Sequence, residues 1–513
     1  MHEIELKLQV PAARLADVQA AVCGRHPPPA LRLQAAYFDT PDRRLADAAL
    51  ALRLRREGRR WVQTLKGAGD DGLTRDEHNV ARGSATAMPA IDPALHAGMP
   101  AGDRLLALLC ADPVTPLQTL YRTDIARHAR ELRVRLPGAP QARVELAFDR
   151  GRIEAAPHVL PVGELEIELV AGAPLAVIET ARRWQARHGL WIDLRSKAQR
   201  GDLLARGERR APPRRAAAAR VVRSMDLAAA WQAVLRECAD QILSNASQVA
   251  SGDCGAEHVH QLRIGLRRLR SAGALFEPSG ADLLEGAATL FRRLGAARDE
   301  VVVECEFGPA LEAARRLAGL SEAPPTGRSA AAPRVDAGMQ PDATVRDATT
   351  QGWLFDLLAA MQPPADAVDT AAETITAPPL RAVLAARLNR WHRRLVVEAA
   401  RYAELDEASR HRLRKRAKRL RYASEFCAPL FGRRAVRRYL KALQAVQDRL
   451  GAVGDAVMAT AAYVQRAPGD PQAMFALGWL AARREVLVAV ALPDLKAFAK
   501  AEVFWDKALK RGD

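Results

Sequence analysis

The chain has 513 residues, of which 49% are hydrophobic and 27% charged, and its formal net charge is +17. The length calls for two or more domains, and the composition is globular, which sets aside disordered and fibrous classes. The basic surplus falls mostly beyond residue 200 and implies a polyanionic partner: nucleic acid, an anionic membrane or a phosphate polymer.

Cys23, Cys110, Cys238, Cys254, Cys305 and Cys427 lie scattered, with no CxxC pair, so neither a zinc site nor a disulfide framework is expected. No run of about 18 apolar residues occurs, and the first residues lack a charged-then-apolar signal profile. The expected location is the cytoplasm.

Residues 1–205 read as short alternating strands, for example 4–10, 51–55, 61–66, 142–148 and 163–170. Helical patterns interrupt them at about 12–23, 103–110 and 174–188. The first strand carries Glu3, Glu5 and Lys7 on one face and Ile4, Leu6 and Leu8 on the other, because strand side chains alternate. Adjacent carboxylates repel unless a cation sits between them, and a lysine one step on adds an anion-binding group. A hard divalent ion carrying a phosphate chain satisfies all three.

The same alternation puts charge on one face of later segments. Arg53 and Arg55 alternate with Leu52 and Leu54, Lys66 ends its strand, and Arg75 and Glu77 follow. Arg143, Glu145 and Asp149 share a face, as do Glu164, Glu166 and Glu168, and Lys197 comes last. Arg122 and Arg127 fall on opposite faces of a regular strand, so only one points inward. If about eight strands close into a barrel, these faces become its interior. Such a lining is costly when dry and sensible when it holds water, metal and a polyanion.

Residues 206–225, rich in Arg, Ala and Pro, read as a linker. From residue 226 to 513 the period is helical, broken by a Pro/Gly/Ala-rich stretch at about 321–348 that reads as a flexible insert. The helical part repeats itself. His260 is followed by Arg263, Arg267, Arg268 and Arg270, and His411 by Arg414, Lys418, Arg419 and Arg421, at the same offsets. Leu294 to Asp299 matches Leu450 to Asp455, read as a Leu-Gly-x-x-x-Asp turn. His260, Arg263, Arg267 and Arg270, and likewise His411, Arg414, Lys418 and Arg421, each form a narrow stripe on a helix. No acid occurs at 258–276 or 408–424, so an external anion is the expected counter-charge. His258 has no counterpart in the second copy and reads as a packing residue.

Taken in order, Glu3-Ile4-Glu5-Leu6-Lys7, Tyr37-Phe38-Asp39-Thr40-Pro41, Leu52 to Arg55, Thr64 to Lys66, Arg75 to Glu77, Val144 to Asp149, Glu164 to Glu168 and Ser196-Lys197 resemble a CYTH domain of the triphosphate tunnel metalloenzymes. The resemblance implies an eight-stranded antiparallel β-tunnel with flanking helices. It implies Mg²⁺ or Mn²⁺ held by Glu3, Glu5, Glu145, Asp149, Glu164, Glu166 and Glu168, and phosphate gripped by Lys7, Arg53, Arg55, Lys66, Arg75, Lys197 and Arg122 or Arg127. Glu3, Glu5 and Lys7 are the expected catalytic set. The duplicated stripes are similar to a CHAD domain, which implies an all-α bundle that binds inorganic polyphosphate.

Together these resemblances imply metal-dependent hydrolysis of tripolyphosphate to pyrophosphate and phosphate, joined to polyphosphate binding and association with polyphosphate granules. Thiamine triphosphatase or adenylyl cyclase activity in the same tunnel, or a non-catalytic polyphosphate-binding protein, are the alternatives. No nucleic-acid-binding motif stands out, and neither nucleic acid nor membrane is an expected partner.

Overall fold

The structure is a computed structural model, and it describes residues 2–25, 29–68, 74–110, 116–277, 282–295, 307–320, 340–362, 379–468 and 470–511. The chain divides into two compact units. One comprises Met1–Arg214, Asp240–Leu262 and Val345–Pro363, and the other Arg215–Ala239, Arg263–Thr344 and Pro364–Asp513. The first unit therefore extends past the expected limit at residue 205, taking in two stretches of the helical region.

The first unit is built on a nine-stranded antiparallel sheet. Its strands are β1 (His2–Gln9), β2 (Leu31–Asp39), β3 (Leu50–Glu57), β4 (Arg60–Ala68), β5 (Thr74–Ala81), β6 (Gln118–Val134), β7 (Ala142–Ala155), β8 (His158–Ala171) and β9 (Trp191–Ile192). The order is β5-β4-β3-β2-β6-β7-β8-β1-β9, and β5 pairs back onto β1, closing a ring of the first eight strands. The expected count of eight thus becomes nine. The extra strand β9 has two residues and lies on the same edge of β1 as β5, pairing Leu8 with Ile192 and Gln9 with Trp191.

Closure sorts the side chains. Leu6, Leu8, Leu146, Phe148, Leu165 and Ile167 are fully buried on the outer face. That face is covered by helices, with α1 (Leu15–Cys23) on β6 and β7 and α4 (Leu175–His188) on β1 and β8. Between α1 and α4 in the chain come α2 (Arg44–Asp47) and α3 (Pro100–Cys110). The charged alternate residues are left facing inward, as the period of two requires. Asp39 accepts the N–H groups of Thr40, Leu45 and Ala46 at 2.7, 2.9 and 2.9 Å, so this member of the Tyr37–Pro41 motif caps α2.

Helix α5 (Lys197–Ala205) packs on β6, β7 and β8. Leu204 joins Leu33, Tyr37, Tyr121 and Ile125 in an apolar cluster. Ser196 caps α5, with Gln199 completing a reciprocal capping box.

Beyond α5 follow α6 (Leu227–Ala250), α7 (Ala256–Phe276), α8 (Asp282–Arg293), α9 (Gly308–Leu317), α10 (Pro341–Arg346), α11 (Ala348–Ala360), α12 (Leu380–Ala399), α13 (Glu407–Cys427), α14 (Arg433–Arg466), α15 (Pro471–Ala499) and α16 (Asp506–Arg511). All regular structure described after residue 226 is helical. The expected linker has no regular structure, but it is fastened. Ala219 and Val221 are buried, Ala211 N–H donates to Gln248 at 3.2 Å, and Ala217 N–H donates to Glu237 at 2.5 Å. Of the expected flexible insert, 321–339 lies outside the described residues. The rest enters α10, where Thr344 and Val345 are buried, so the sequence reading extended the insert too far.

Cys23, Cys110, Cys238, Cys254 and Cys427 are free thiols, and Cys305 lies outside the described residues. Among the described residues no helix is long and apolar enough to cross a membrane.

Candidate functional site

Inside the ring lies a cavity of about 780 Å³. One wall is acidic, because the register of three strands stacks carboxylates in rows. Glu5 sits opposite Glu168, and Glu168 opposite Glu145. Two residues along, Lys7 pairs with Glu166. Two further, Gln9 pairs with Glu164 and Glu164 with Asp149.

Carboxylate oxygens of Asp149, Glu164 and Glu166 lie within 4.8 Å of one another, a set able to hold a metal ion. In this structure cations answer them. Lys197 Nζ is 2.5 Å from Asp149 and 3.0 Å from Glu166, and it also pairs with Glu164. Arg127 clasps Asp149 with two bonds of 2.7 Å and pairs with Glu166. Arg200 pairs with Glu164, which Gln9 also reaches at 3.2 Å. Burial would raise Glu166, but Lys197, Arg127 and Lys7 outweigh it and hold its carboxyl well below the usual range. Burial works against the charge on Lys197 too, yet Asp149, Glu164 and Glu166 raise its pKa.

The row of Glu5, Glu168 and Glu145 behaves differently. Burial, then Glu145, then Glu5 push the Glu168 carboxyl above its ordinary value, with Lys66 opposing. This row therefore carries negative charge that its surroundings offset less completely. Glu5 pairs with Lys7, whose ammonium is 3.7 Å from Glu166. Glu5, Glu166 and Glu168 line the cavity, whereas Glu145 is half-buried and takes no part in the wall.

The opposite wall is basic. Arg53 and Arg55 on β3 and Lys66 on β4 line the cavity. Arg53 donates to the Tyr37 hydroxyl at 3.2 Å and lies 3.8 Å from Glu77, Lys66 pairs with Glu77, and Arg55 pairs with Glu57. Burial, and next the neighbouring Arg53, lower the Arg55 pKa, with Glu57 opposing.

Parity left Arg122 and Arg127 open, and the structure separates them. Arg122 is exposed on the outer face and takes no part in the cavity wall, so its expected role in gripping phosphate is corrected; Arg127 is the inward residue. Glu3 and Arg75 are register partners where β1 meets β5, but their side chains lie outside the described residues.

Sequence reasoning did not pick out Arg200 or the roles of Tyr37 and Tyr121. Arg200 was detectable from the i, i+3 spacing with Lys197, which puts both on one helix face. Tyr37 and Tyr121 stack at 4.6 Å, a pairing set by the β2–β6 register rather than by local sequence.

In the helical region the duplicated offsets correspond to a structural clasp. Arg263 donates to Leu294 O at 2.6 Å and lies over Phe291, with 4.6 Å from guanidinium to ring centre. The equivalent Arg414 bonds Asp455 at 3.1 Å and packs along Gly454, where an added Cβ would sit 3.1 Å from its Cδ. The second Leu-Gly segment is not a turn: 450–455 continues inside α14. Asp299 lies outside the described residues.

The expectation that the stripes lack counter-charges is also corrected, because acids arrive from outside them. Asp455 serves Arg414, and Glu425 lies 3.7 Å from Arg421, which also bonds Gln444 at 2.8 Å. Arg267 lies over Phe291, while His260 and Lys418 are half-buried and His411 is exposed. Arg270 is exposed and its pKa is lowered, first by partial burial and then by Arg419 and Arg292. Arg270 of α7 is thus repelled by Arg292 of α8 and Arg419 of α13. His258 is a packing residue as expected: its Nδ1 accepts Gly255 N–H at 3.1 Å and its Nε2 donates to Ala211 O at 2.8 Å.

Comparison with known proteins matches residues 1–201 to the CYTH domain family and residues 233–463 to the CHAD domain family. An inorganic triphosphatase of Haemophilus influenzae is 30% identical over 173 residues, covering 33% of this chain and 44% of that protein. The chain thus spans less than half the length of this curated relative. Among solved structures, the CHAD domain from the plant Ricinus communis is 30% identical, covering 57% of this chain and 98% of that one with a TM-score of 0.44. A candidate adenylyl cyclase from Hippeastrum that reveals a dominant triphosphatase activity is 18% identical, covering 40% and 96% with a TM-score of 0.25.

Proposed function

This chain carries a CYTH domain followed by a CHAD domain, and from that premise we propose that its tunnel is an inorganic triphosphatase and its helical region a polyphosphate-binding module. The observation that carries the first part is the pair of opposed walls around one cavity: Glu5, Glu166 and Glu168 face Arg53, Arg55 and Lys66. Tyr37 and Tyr121, two aromatic rings of the cavity wall, stack on each other, which favours a bare phosphate chain over a base-bearing substrate.

The donor set fits Mg²⁺ or Mn²⁺, since it consists of hard carboxylate oxygens. Asp149, Glu164 and Glu166 are already neutralised by Lys197, Arg127 and Arg200, so Glu5 and Glu168 are the ligands best placed to gain from a divalent ion. Such an ion, when bound, withdraws charge from the phosphoanhydride and lowers its repulsion toward water.

Arg53 and Lys66 exchange Glu77 for phosphate oxygens, and Arg55, paired with Glu57, adds a further guanidinium on the same wall. Their charge stabilises what accumulates on the equatorial and leaving oxygens. Lys7, held between Glu5 and Glu166, orients the chain from the acidic wall. Glu5 is the carboxylate best placed to position the attacking water.

In the helical region the reading rests on the crowding of Arg270, Arg419 and Arg292, which a polyanion relieves.

Phosphate release from tripolyphosphate, thiamine triphosphate, ATP and long polyphosphate, each with Mg²⁺, Mn²⁺ or chelator, tests the proposal. Preferential cleavage of tripolyphosphate, abolished by chelator, supports it. Preference for thiamine triphosphate or cyclisation of ATP replaces the substrate. Binding without any turnover makes the tunnel a receptor.

A further inference from the structure

Lys197 enters the carboxylate cluster at the first position of α5, where the helix dipole disfavours a cation. Something must hold the approach to it. Residues 191–196 run from β9 to α5, and among the described residues β9 pairs with no strand other than β1. The barrel pairs β9 with β1 and adds a bond from Asp193 N–H to Lys7 O at 3.1 Å. Within the segment Asp193 accepts Arg195 N–H at 3.0 Å and Gln199 accepts Ser196 N–H at 2.9 Å. The N–H groups of Ile192 and Leu194 are held by the helical stretches that belong to the same compact unit.

Gln351 on α11 accepts Ile192 N–H at 2.9 Å through Oε1, while its Nε2 donates to Val345 O at 2.8 Å. Ser247 on α6 accepts Leu194 N–H at 3.1 Å, and its own hydroxyl donates to Leu243 O at 2.9 Å. Gln248 accepts from Arg195 Nη1 at 3.2 Å. Gln351, Ser247 and Gln248 are all essentially buried, and each makes a further hydrogen bond of its own, Gln351 to Val345 O, Ser247 to Leu243 O and Gln248 to Asp253 O, so each offers a fixed acceptor. Arg346 adds a cover, its guanidinium 4.6 Å from the Trp191 ring centre. Simple packing would require only apolar contact here. Instead, alternate backbone N–H groups are captured one by one up to three residues before Lys197.

We propose that Gln351 and Ser247 are positioning residues for the tunnel: they fix the 191–196 segment and thereby set where the Lys197 ammonium stands among Asp149, Glu164 and Glu166. The inference rests on the reading of the tunnel as a triphosphate site. It makes two stretches lying outside the barrel strands part of the machinery that handles the phosphate chain.

The test is a coupling measurement on the full chain. kcat and KM for tripolyphosphate are measured for Gln351→Met with Ser247→Ala, in the Lys197 background and in Lys197→Ala (Lys197→Gln where the alanine variant does not fold). The expected result is a loss of about tenfold or more in kcat/KM with Lys197 present and of no more than about twofold without it, because a misplaced group loses what a missing group has already lost. Equal factors in both backgrounds overturn the positioning role. A wild-type chain inert toward tripolyphosphate overturns the triphosphatase reading and this inference together, whereas an active one with equal factors overturns the positioning alone.

Discussion

Gly201 meets the ring of Tyr121 so closely that a methyl group at position 201 would fall 2.3 Å from the ring carbons. The contact seats α5 against the inner face of β6, with Tyr121 backed by the stacked Tyr37. Because Lys197 stands at the head of the same helix, seating α5 and seating the ammonium are one event.

Gly201→Ala is therefore expected to displace α5 and to cost about 1–3 kcal/mol, the range for overpacking a well-filled site. Turnover of tripolyphosphate should fall along with stability. Urea unfolding and steady-state kinetics on the same preparation check this; an unchanged urea midpoint would show that the ring yields.

Glu168→Gln separates catalysis from stability. The residue's carboxyl is raised by burial, Glu145 and Glu5, so it carries repulsion in the metal-free protein. Removing one charge should leave the metal-free fold as stable or slightly more so. Divalent-dependent turnover should fall by roughly 100-fold, the scale of losing one electrostatic contact in an active site. Thermal unfolding in chelator and phosphate release in Mg²⁺ or Mn²⁺ are the paired measurements.

Arg127→Ala and Arg122→Ala are expected to differ sharply although the residues lie five apart in β6. Arg127 is the two-bond partner of fully buried Asp149, and removing it leaves that carboxylate to Lys197, at a cost of about 1.5–3 kcal/mol for the lost charged hydrogen bonds. Arg122 is exposed, and its removal should stay within about 0.5 kcal/mol. Chemical denaturation of both variants decides it.

The pH dependence of stability should carry a contribution from His96. Its ring is fully buried, and burial, then His78, lower its pKa to about 4. The geometry agrees: the Gln63 amide is fixed by Arg82 and Asp92 N–H on its oxygen, so its nitrogen donates to His96 Nε2 at 3.1 Å and leaves that atom no room for a proton. Above pH 6.5 neither state is charged at this site. Between 6.5 and about 4 only the unfolded chain takes up the proton, so unfolding free energy falls with pH by up to roughly 1.4 kcal/mol per pH unit. Urea midpoints between pH 8 and 4 should decline less steeply for His96→Asn than for the native chain.

What could be read from sequence depended on whether a property is local. Alternation is local, so the inward set Glu5, Lys7, Arg53, Arg55 and Lys66 follows from period two alone. Register is not local, and the cross-strand partner Asp149 settles which of Arg122 and Arg127 turns inward. The counter-charges of the stripes were invisible for the same reason, since Asp455 reaches Arg414 from another helix. The second Leu-Gly segment was misread because Gly normally ends helices. Here Gly454 leaves space for the Arg414 side chain while α14 runs on.

The helical region offers a last test, on the full chain in chelator. Arg263 and Arg414 are clasps, bound to Leu294 O and Asp455, so reversing them would damage the fold before it reported on a ligand. Arg270 and Arg419 are exposed, and their mutual repulsion is what an anion would relieve. Arg270→Glu with Arg419→Glu should weaken binding of long-chain polyphosphate by at least about tenfold, since two phosphate contacts are lost and two repulsions gained. The cost should be greater for long chains than for tripolyphosphate, because only a polymer can link separate basic positions and profit from effective concentration. Affinity of the native chain for polyphosphate should fall steeply with salt, as counterion release requires by analogy with other polyanions. Fluorescence anisotropy against labelled polyphosphate and duplex DNA, across a salt series, makes the comparison. Equal affinity for the two polymers at physiological salt would reduce this surface to a non-specific cationic face, and preference for polyphosphate that the double reversal removes would assign it a ligand.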